Sequence, residues 1–302
     1  MSSENIERLE KVVYVLGAGF SAPLGLPVMS NFLERSKDIF SLEPSRYAHF
    51  GNVFKTIDRM YKCKGYYNAD LFNIEEILSI LEMDEHLDSG KEEESSFKKY
   101  IIDVIKHFTP ELQGPTASGN WKQNVFASDK TEQEKQLNHY GYFAASLLSL
   151  MLIPNTSGDV FINYAPRRLR KFSYSVVTLN YDLVLENCYS YLAESHMPDR
   201  DFGFSSQIES DPKQFALISH LAKLHGSVDT GVIVPPTWNK GLHDNIKPNW
   251  QLAYHLLTEA NHIRIIGYSL PIADSYIKYL LKAAIIKCER LKTFDVLCLD
   301  GD

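Results

Sequence analysis

Residues Val12 to Leu16 (VVYVL) form an unbroken apolar run rich in β-branched side chains, with glycines directly behind it. Such a run suits a strand buried on both faces of a parallel sheet. Strand character recurs at Tyr174 to Leu179 (YSVVTL), Ala222 to Leu224, Val232 to Val234, His262 to Ile266 (HIRII) and Phe294 to Leu299 (FDVLCL). Helical patterns lie between several of these, at about Ser30 to Phe40, Asp182 to Ala193, Pro248 to Ala260 and Asp274 to Cys288. Alternating strand and helix predicts an α/β fold, a Rossmann-like parallel sheet with helices on both faces.

The pattern changes between roughly Tyr47 and Pro154. Ile74, Ile77, Leu78 and Leu81 recur at helical spacing, as do Phe97, Ile101, Val104, Ile105 and Phe108, and Gln136 to Leu152 makes a third helical block. No strand is expected in this section. Gly90 to Ser96 (GKEEESS) reads as a charged surface segment, and Thr109 to Gly119 as a loop. The expected organisation is a core from 1–46 and 155–302 interrupted by a helical insertion at 47–154. The last apolar run stops three residues before the end, an abrupt finish that suggests a longer natural chain.

Composition removes several classes. The 302 residues are 44% hydrophobic and 23% charged, as in ordinary globular proteins, and need no metal or disulfide to fold. Lys and Arg total 31 against 38 Asp and Glu, a net charge of −7, so direct nucleic-acid binding is not expected. Cys63, Cys188, Cys288 and Cys298 form no C-x-x-C pair, and no His/Asp/Glu cluster has ligand spacing, so no metal is expected. The polar N-terminus (MSSENIERLEK) is unlike a signal peptide, and the most apolar stretch, Phe143 to Ile153, is too short to span a bilayer. These features predict a cytoplasmic protein without membrane contact.

Four of the expected strands end in polar chemistry. VVYVLGAGFSA (Val12 to Ala22) is a G-x-G-x-x-A pattern behind a strand. Gly17 and Gly19 permit a tight turn and let backbone N–H groups approach a pyrophosphate, and Ala22 lets a following helix pack closely. A plain tight turn is the alternative. A dehydrogenase would carry an acidic residue about 20 residues on, at the end of a second strand. Here Glu34 and Asp38 fall inside an expected helix, which disfavours that class. VVTLNYD (Val176 to Asp182) presents Thr178, Asn180 and Asp182 at alternate positions as its strand runs out. Asn180 capping a turn and Asp182 capping the next helix are the plainer readings. LAKLHGS (Leu221 to Ser227) ends in His225 before Gly226, and IIGYSLPIAD (Ile265 to Asp274) offers Gly267, Ser269 and an Asp274 placed to cap a helix.

Together these strand ends resemble the sirtuin-like NAD-consuming family, in its branch among prokaryotic antiphage defence proteins. The resemblance covers about 1–45 and 155–302, and the stretches Ile74 to Ser79 and Pro235 to Lys240 are also similar to that branch. It implies that Gly17, Ala18, Gly19, Phe20 and Ser21 form the loop holding the NAD diphosphate. It places Asn180 and Asp182, with Thr178, beside the nicotinamide ribose, and makes His225 the active-site histidine and Asn180 its catalytic companion. Gly267 and Ser269 would hold the adenosine-side ribose and phosphate, and Asp300 the adenosine half. Protein-deacylating sirtuins carry a zinc module on two C-x-x-C pairs and an acidic-aromatic-arginine motif. This chain has neither, with Gly25 to Ser30 (GLPVMS) at the motif's place. Hydrolysis of NAD to ADP-ribose and nicotinamide, without a metal, is therefore the activity implied. Its rivals are an ADP-ribosyl or acyl transferase on the same fold and a sensor that binds NAD or a derivative. The implied setting is an oligomer gated by the insertion, working with a partner ATPase or another defence protein.

The chemistry is consistent with those residue types. Nicotinamide leaves NAD as a neutral molecule, so the acid of a glycosidase pair is not needed. A neutral amide such as Asn180 can hold a ribose hydroxyl or water at low desolvation cost. An imidazole such as His225, with an unperturbed pKa of ~6.5, can take the water's proton.

Overall fold

The computed structural model describes residues 9–67, 73–88, 91–110, 112, 132–154, 160–164, 171–196, 204–207, 219–235, 244–270 and 274–297. Its centre is a five-stranded sheet of β1 (Glu10–Leu16), β2 (Phe172–Thr178), β3 (His220–Lys223), β4 (His262–Ile266) and β5 (Thr293–Leu297). The spatial order is β3-β2-β1-β4-β5 and every pairing is parallel. Val15 of the central strand lies opposite both Val177 and Ile265. This is a Rossmann-like doubly wound arrangement, with the order reversing between β1 and β4.

The two faces of β1 explain its unbroken apolar run. Val12, Tyr14 and Leu16 pack on one side with Tyr140 and Ala144 of α5 (Glu132–Leu147) and Leu185 and Cys188 of α6 (Val184–His196). Val13 and Val15 pack on the other with Leu252 and Leu256 of α7 (Lys247–Thr258) and Ile277 and Leu281 of α8 (Ser275–Lys287). Because side chains alternate between faces, a strand covered on both must be apolar throughout. Each buried Val or Leu contributes about 1.5–3 kcal/mol of transfer free energy.

A second core belongs to α1 (Phe32–Leu42), α2 (Phe50–Tyr67), α3 (Ile74–Asp88) and α4 (Lys91–Phe108). Phe32, Ile39, Phe50, Ile77, Leu78, Phe97 and Ile101 meet there around Tyr100, whose hydroxyl donates to Ser36 Oγ at 2.7 Å. Tyr181, Val228 and Ile233, from the connections after β2 and β3, join the same core. The helical satellite is thereby anchored to the carboxyl end of the sheet.

Several local expectations are corrected. The block Gln136 to Leu152 is not helical throughout: α5 stops at Leu147, Ser149 turns the chain with φ 56°, and Leu150–Pro154 pairs antiparallel with Val160–Tyr164. A short apolar run such as LMLIP fits strand or helix equally well by periodicity. The helix α5 covers the sheet, so it is part of the sheet's own layer although it falls within 47–154. Lys91 to Ser96 is the first part of α4, where Glu94 is buried and paired with Lys98. Val232–Ile233 is not a strand of the main sheet but pairs antiparallel with Gly226–Ser227. Of the loop expected at Thr109 to Gly119, only Thr109, Pro110 and Leu112 lie within the described residues. Among the described residues no helix is long and apolar enough to cross a membrane.

Candidate active site

Connections from β1 and β4 diverge where the strand order reverses, which opens a crevice beyond the strands' carboxyl ends. A cavity of about 600 Å³ lies there, a volume suited to a cofactor-sized ligand. Its floor comes from Ala18, Gly19 and Ser21 after β1, Asn180 and Asp182 after β2, His225 after β3, and Gly267 and Ser269 after β4. The satellite closes the other side with Phe32, Ile74, Glu75 and Ile105.

The glycine-rich loop differs from its expected form. No α-helix follows it; the chain makes 3-10 turns at Ala18–Phe20 and Ala22–Leu24, and α1 begins only at Phe32. Pro23 fits the start of the second turn, where its missing N–H is not needed, and the left-handed Gly25 ends it. The loop's N–H groups are also engaged: Gly17 donates to Ile266 O, Gly19 to Gly267 O, Phe20 to Gly17 O and Ser21 to Ala18 O. The expectation that Ala22 packs a following helix is therefore corrected, and the Gly17 and Gly19 N–H groups are bonded within the protein. The glycines serve a backbone contact. A Cβ at Gly17 would lie 2.6 Å from Gly267 O, and one at Gly267 would lie 2.3 Å from Phe20 N. Gly267 also has φ 64°, which disfavours any other residue.

Asn180 joins two of these loops. Its Nδ2 donates to Gly17 O at 3.0 Å and to Ser21 Oγ at 3.3 Å, and its backbone N–H donates to Thr178 Oγ1 at 3.1 Å. The amide nitrogen is thus committed to the fold, leaving Oδ1 as the side-chain atom able to meet a ligand. Ser21 in turn hydrogen-bonds the Asp182 carboxylate. Asp182 also accepts the Val184 N–H at 3.0 Å, so it caps the start of α6 while lining the cavity. Burial raises the Asp182 pKa, and the charge of Lys223 opposes the shift. Lys223 Nζ donates to Asp182 O at 2.5 Å and to Glu186 Oε1 at 2.6 Å.

His225 is 2% exposed and sits between two carboxylates. Its Nδ1 is 3.7 Å from Glu75 Oε1, and its Nε2 is 3.9 Å from Asp274 Oδ2. The Tyr181 ring meets the imidazole edge-on at 5.8 Å, and the Tyr181 hydroxyl lies 3.4 Å from Glu75 Oε1. Asp274 holds the N-cap position of α8 but makes no side-chain cap; its Oδ2 accepts the Tyr268 hydroxyl at 2.7 Å. Burial, followed by the nearby carboxylates, pushes the pKa values of Tyr181 and Tyr268 up, so both remain neutral phenols. The His225 turn depends on Gly226, where φ is 90° and a Cβ would lie 2.0 Å from Val232 O.

The fold thus gathers Ala18, Gly19, Ser21, Asn180, Asp182, His225, Gly267 and Ser269 around one cavity. Gly17, Phe20 and Thr178 stand behind it. Gly17 accepts from Asn180, Phe20 packs its ring on Tyr140 at 4.9 Å, and Thr178 Oγ1 lies 3.4 Å from Leu16 O. Asp300 lies outside the described residues, as do Pro236 to Lys240. Sequence reasoning did not single out Glu75, Tyr181 or Tyr268, and it read Asp274 only as a cap. The signal for Glu75 was the stretch Ile74 to Ser79, where the acid looks like an ordinary first-turn helix residue. Among the described residues no group of three or more His, Cys, Asp or Glu could hold a metal ion. Comparison of the chain with protein-family models finds no matching model, and comparison with curated proteins finds no matching relative.

Proposed function

We propose that the chain is a sirtuin-like NAD glycohydrolase that cleaves NAD to ADP-ribose and nicotinamide. The observation that carries this reading is the meeting of Asn180 and His225, from neighbouring strand ends, in one cofactor-sized cavity at the switch point. In the reaction the glycosidic C–N bond breaks and its electron pair neutralises the pyridinium nitrogen. A water oxygen forms the new bond to the ribose C1′, and its proton passes to the His225 imidazole and then to solvent. Asn180 Oδ1 orients the water or a ribose hydroxyl, and Ser269 faces the diphosphate half. The phenols of Tyr181 and Tyr268 and the apolar wall from Phe32, Ile74 and Ile105 limit water to the few molecules the reaction needs.

The proposed setting is an oligomeric defence effector that depletes NAD when a partner releases it. Ile80, Met83 and Leu87 lie exposed along α3, the helix that also carries Glu75, and offer an apolar stripe for such an association. The test is mass-spectrometric analysis of NAD incubated with the purified chain across a range of protein concentrations. Equimolar ADP-ribose and nicotinamide are expected. NAD bound but recovered intact at every concentration would instead identify a sensor.

A further inference from the structure

Glu75 reaches the site from an unexpected direction. It stands at the start of α3, in the satellite, whereas the other polar groups of the cavity come from loops at the strand ends. Its position is fixed on its own side by Asn73, whose Oδ1 accepts the N–H groups of Glu75 at 3.0 Å and Glu76 at 3.3 Å. On the other side the Tyr181 hydroxyl lies 3.4 Å from Glu75 Oε1 and 3.3 Å from Val234 O. The same carboxylate faces Nδ1 of His225, while Nε2 faces Asp274, whose Oδ2 already accepts the Tyr268 hydroxyl. The two carboxylates are therefore not equivalent. Each accepts a phenol, Asp274 at 2.7 Å and Glu75 at the longer 3.4 Å, so more of the Asp274 charge is engaged.

We propose that Glu75 is the positioning residue of His225: it holds the Nδ1–H tautomer, leaves Nε2 to accept the proton, and stabilises the imidazolium that results. This rests on the NAD-hydrolase reading and adds to it a dependence of the site on the satellite. A carboxylate at Nδ1 selects the tautomer in which Nε2 is the basic atom, and it opposes the positive charge formed on proton transfer. The separation of 3.7 Å is longer than a hydrogen bond, so a small approach of α3 tightens the pair and a small retreat breaks it. The satellite thereby sets the competence of the histidine through Glu75.

The groups facing His225 are Glu75 from α3, Asp274 at the start of α8 and Tyr181 after β2. Tyr268 stands behind Asp274, and Glu82, further along α3, acts on Tyr181. Removing one of two carboxylates beside an imidazole disfavours its charged form.

The test compares wild type, Glu75→Gln and Glu75→Asp by NAD turnover against pH, together with NMR titration of the labelled histidines, assigned with His225→Gln. Glu75→Gln keeps the size and the acceptor for Tyr181 but loses the charge. It is expected to lower kcat about 10- to 100-fold with KM changed less than about threefold, and Glu75→Asp to recover part of the loss. The acid limb of the kcat profile and the NMR midpoint of His225 both move to lower pH, by about 1 unit. An unchanged kcat, a change in KM alone, or an unmoved His225 midpoint overturns the proposal. If wild type does not cleave NAD, the hydrolase reading fails by itself. The NMR midpoint then still decides whether Glu75 governs the imidazole.

Discussion

Replacing Gly267 by Ala tests whether the glycines at the switch point serve backbone contact. Two costs apply. The first is conformational: φ is 64°, and an L-residue in the left-handed region loses roughly 1–2 kcal/mol. The second is steric: the new Cβ would lie 2.3 Å from Phe20 N and 2.4 Å from Gly19 C, both backbone atoms that cannot rotate away. Forcing the two loops apart costs about 1–3 kcal/mol more, by analogy with overpacking. The expected total is about 2–5 kcal/mol, a large part of the ~5–15 kcal/mol typical of a whole domain. Gly231→Ala isolates the first cost, because φ is 71° there and nothing lies within 4 Å of the added atom. Gly51→Ala has neither cost, and in the first turn of α2 it is expected to be neutral or stabilising by up to about 0.5 kcal/mol. Urea unfolding followed by circular dichroism ranks the three through their midpoints at constant slope. A Gly267→Ala variant no less stable than Gly231→Ala would refute the contact argument.

Other outcomes follow from the same geometry. Lys223→Met removes the cation from between Asp182 and Glu186, whose pKa values burial already raises. A raised carboxyl pKa gives stability that is full below the unfolded value and lost as pH rises through the folded one. The variant, with both values pushed higher still, should lose about 3–5 kcal/mol at pH 7 and much less near pH 4, as thermal melts at the two pH values will show. Tyr100→Phe removes the bond to Ser36 Oγ and should cost about 1 kcal/mol, whereas Tyr100→Ala opens the satellite core and should cost about 3–5 kcal/mol in chemical denaturation. Burial pushes the Cys188 thiol up to about 12, so a thiol reagent should label it only after unfolding. Turnover should persist in the presence of a chelator, and stoichiometric zinc by elemental analysis with activity lost on chelation would contradict this.

The sheet was legible because burial on both faces leaves an unmistakable trace. VVYVL is a strand that no water-facing pattern would produce, whereas HIRII alternates half-buried His262, Arg264 and Ile266 with buried Ile263 and Ile265. The packing partner of each helix was not legible. Periodicity shows that α5 has an apolar face, but not that β1 covers it while Phe50 and Tyr100 gather α1 to α4 elsewhere. The cavity was legible where its lining falls on strand ends, at Asn180, Asp182, His225 and Ser269. It was hidden where a residue's local role imitates a common one. Glu75 looks like an acid favouring a helix start, and Asp274 looks like a cap, yet both carboxylates turn to His225. The glycine spacing did not reveal the backbone bonds it permits: the N–H groups of Gly17, Gly19, Phe20 and Ser21 bond to Ile266, Gly267 and the loop itself.

The account depends most on Asn180 and His225 acting together on NAD in the switch-point cavity. The most direct measurement is the rate of nicotinamide release from NAD by wild type, Asn180→Ala and His225→Ala, each first shown by circular dichroism and melting to be folded. Asn180→Ala also loses the ties to Gly17 O and Ser21 Oγ, so its fold control carries particular weight. The account predicts release by wild type and a fall of about 100-fold or more in each folded variant. Release at the wild-type rate by either folded variant, or none by wild type at any protein concentration or with its activating partner, would contradict it.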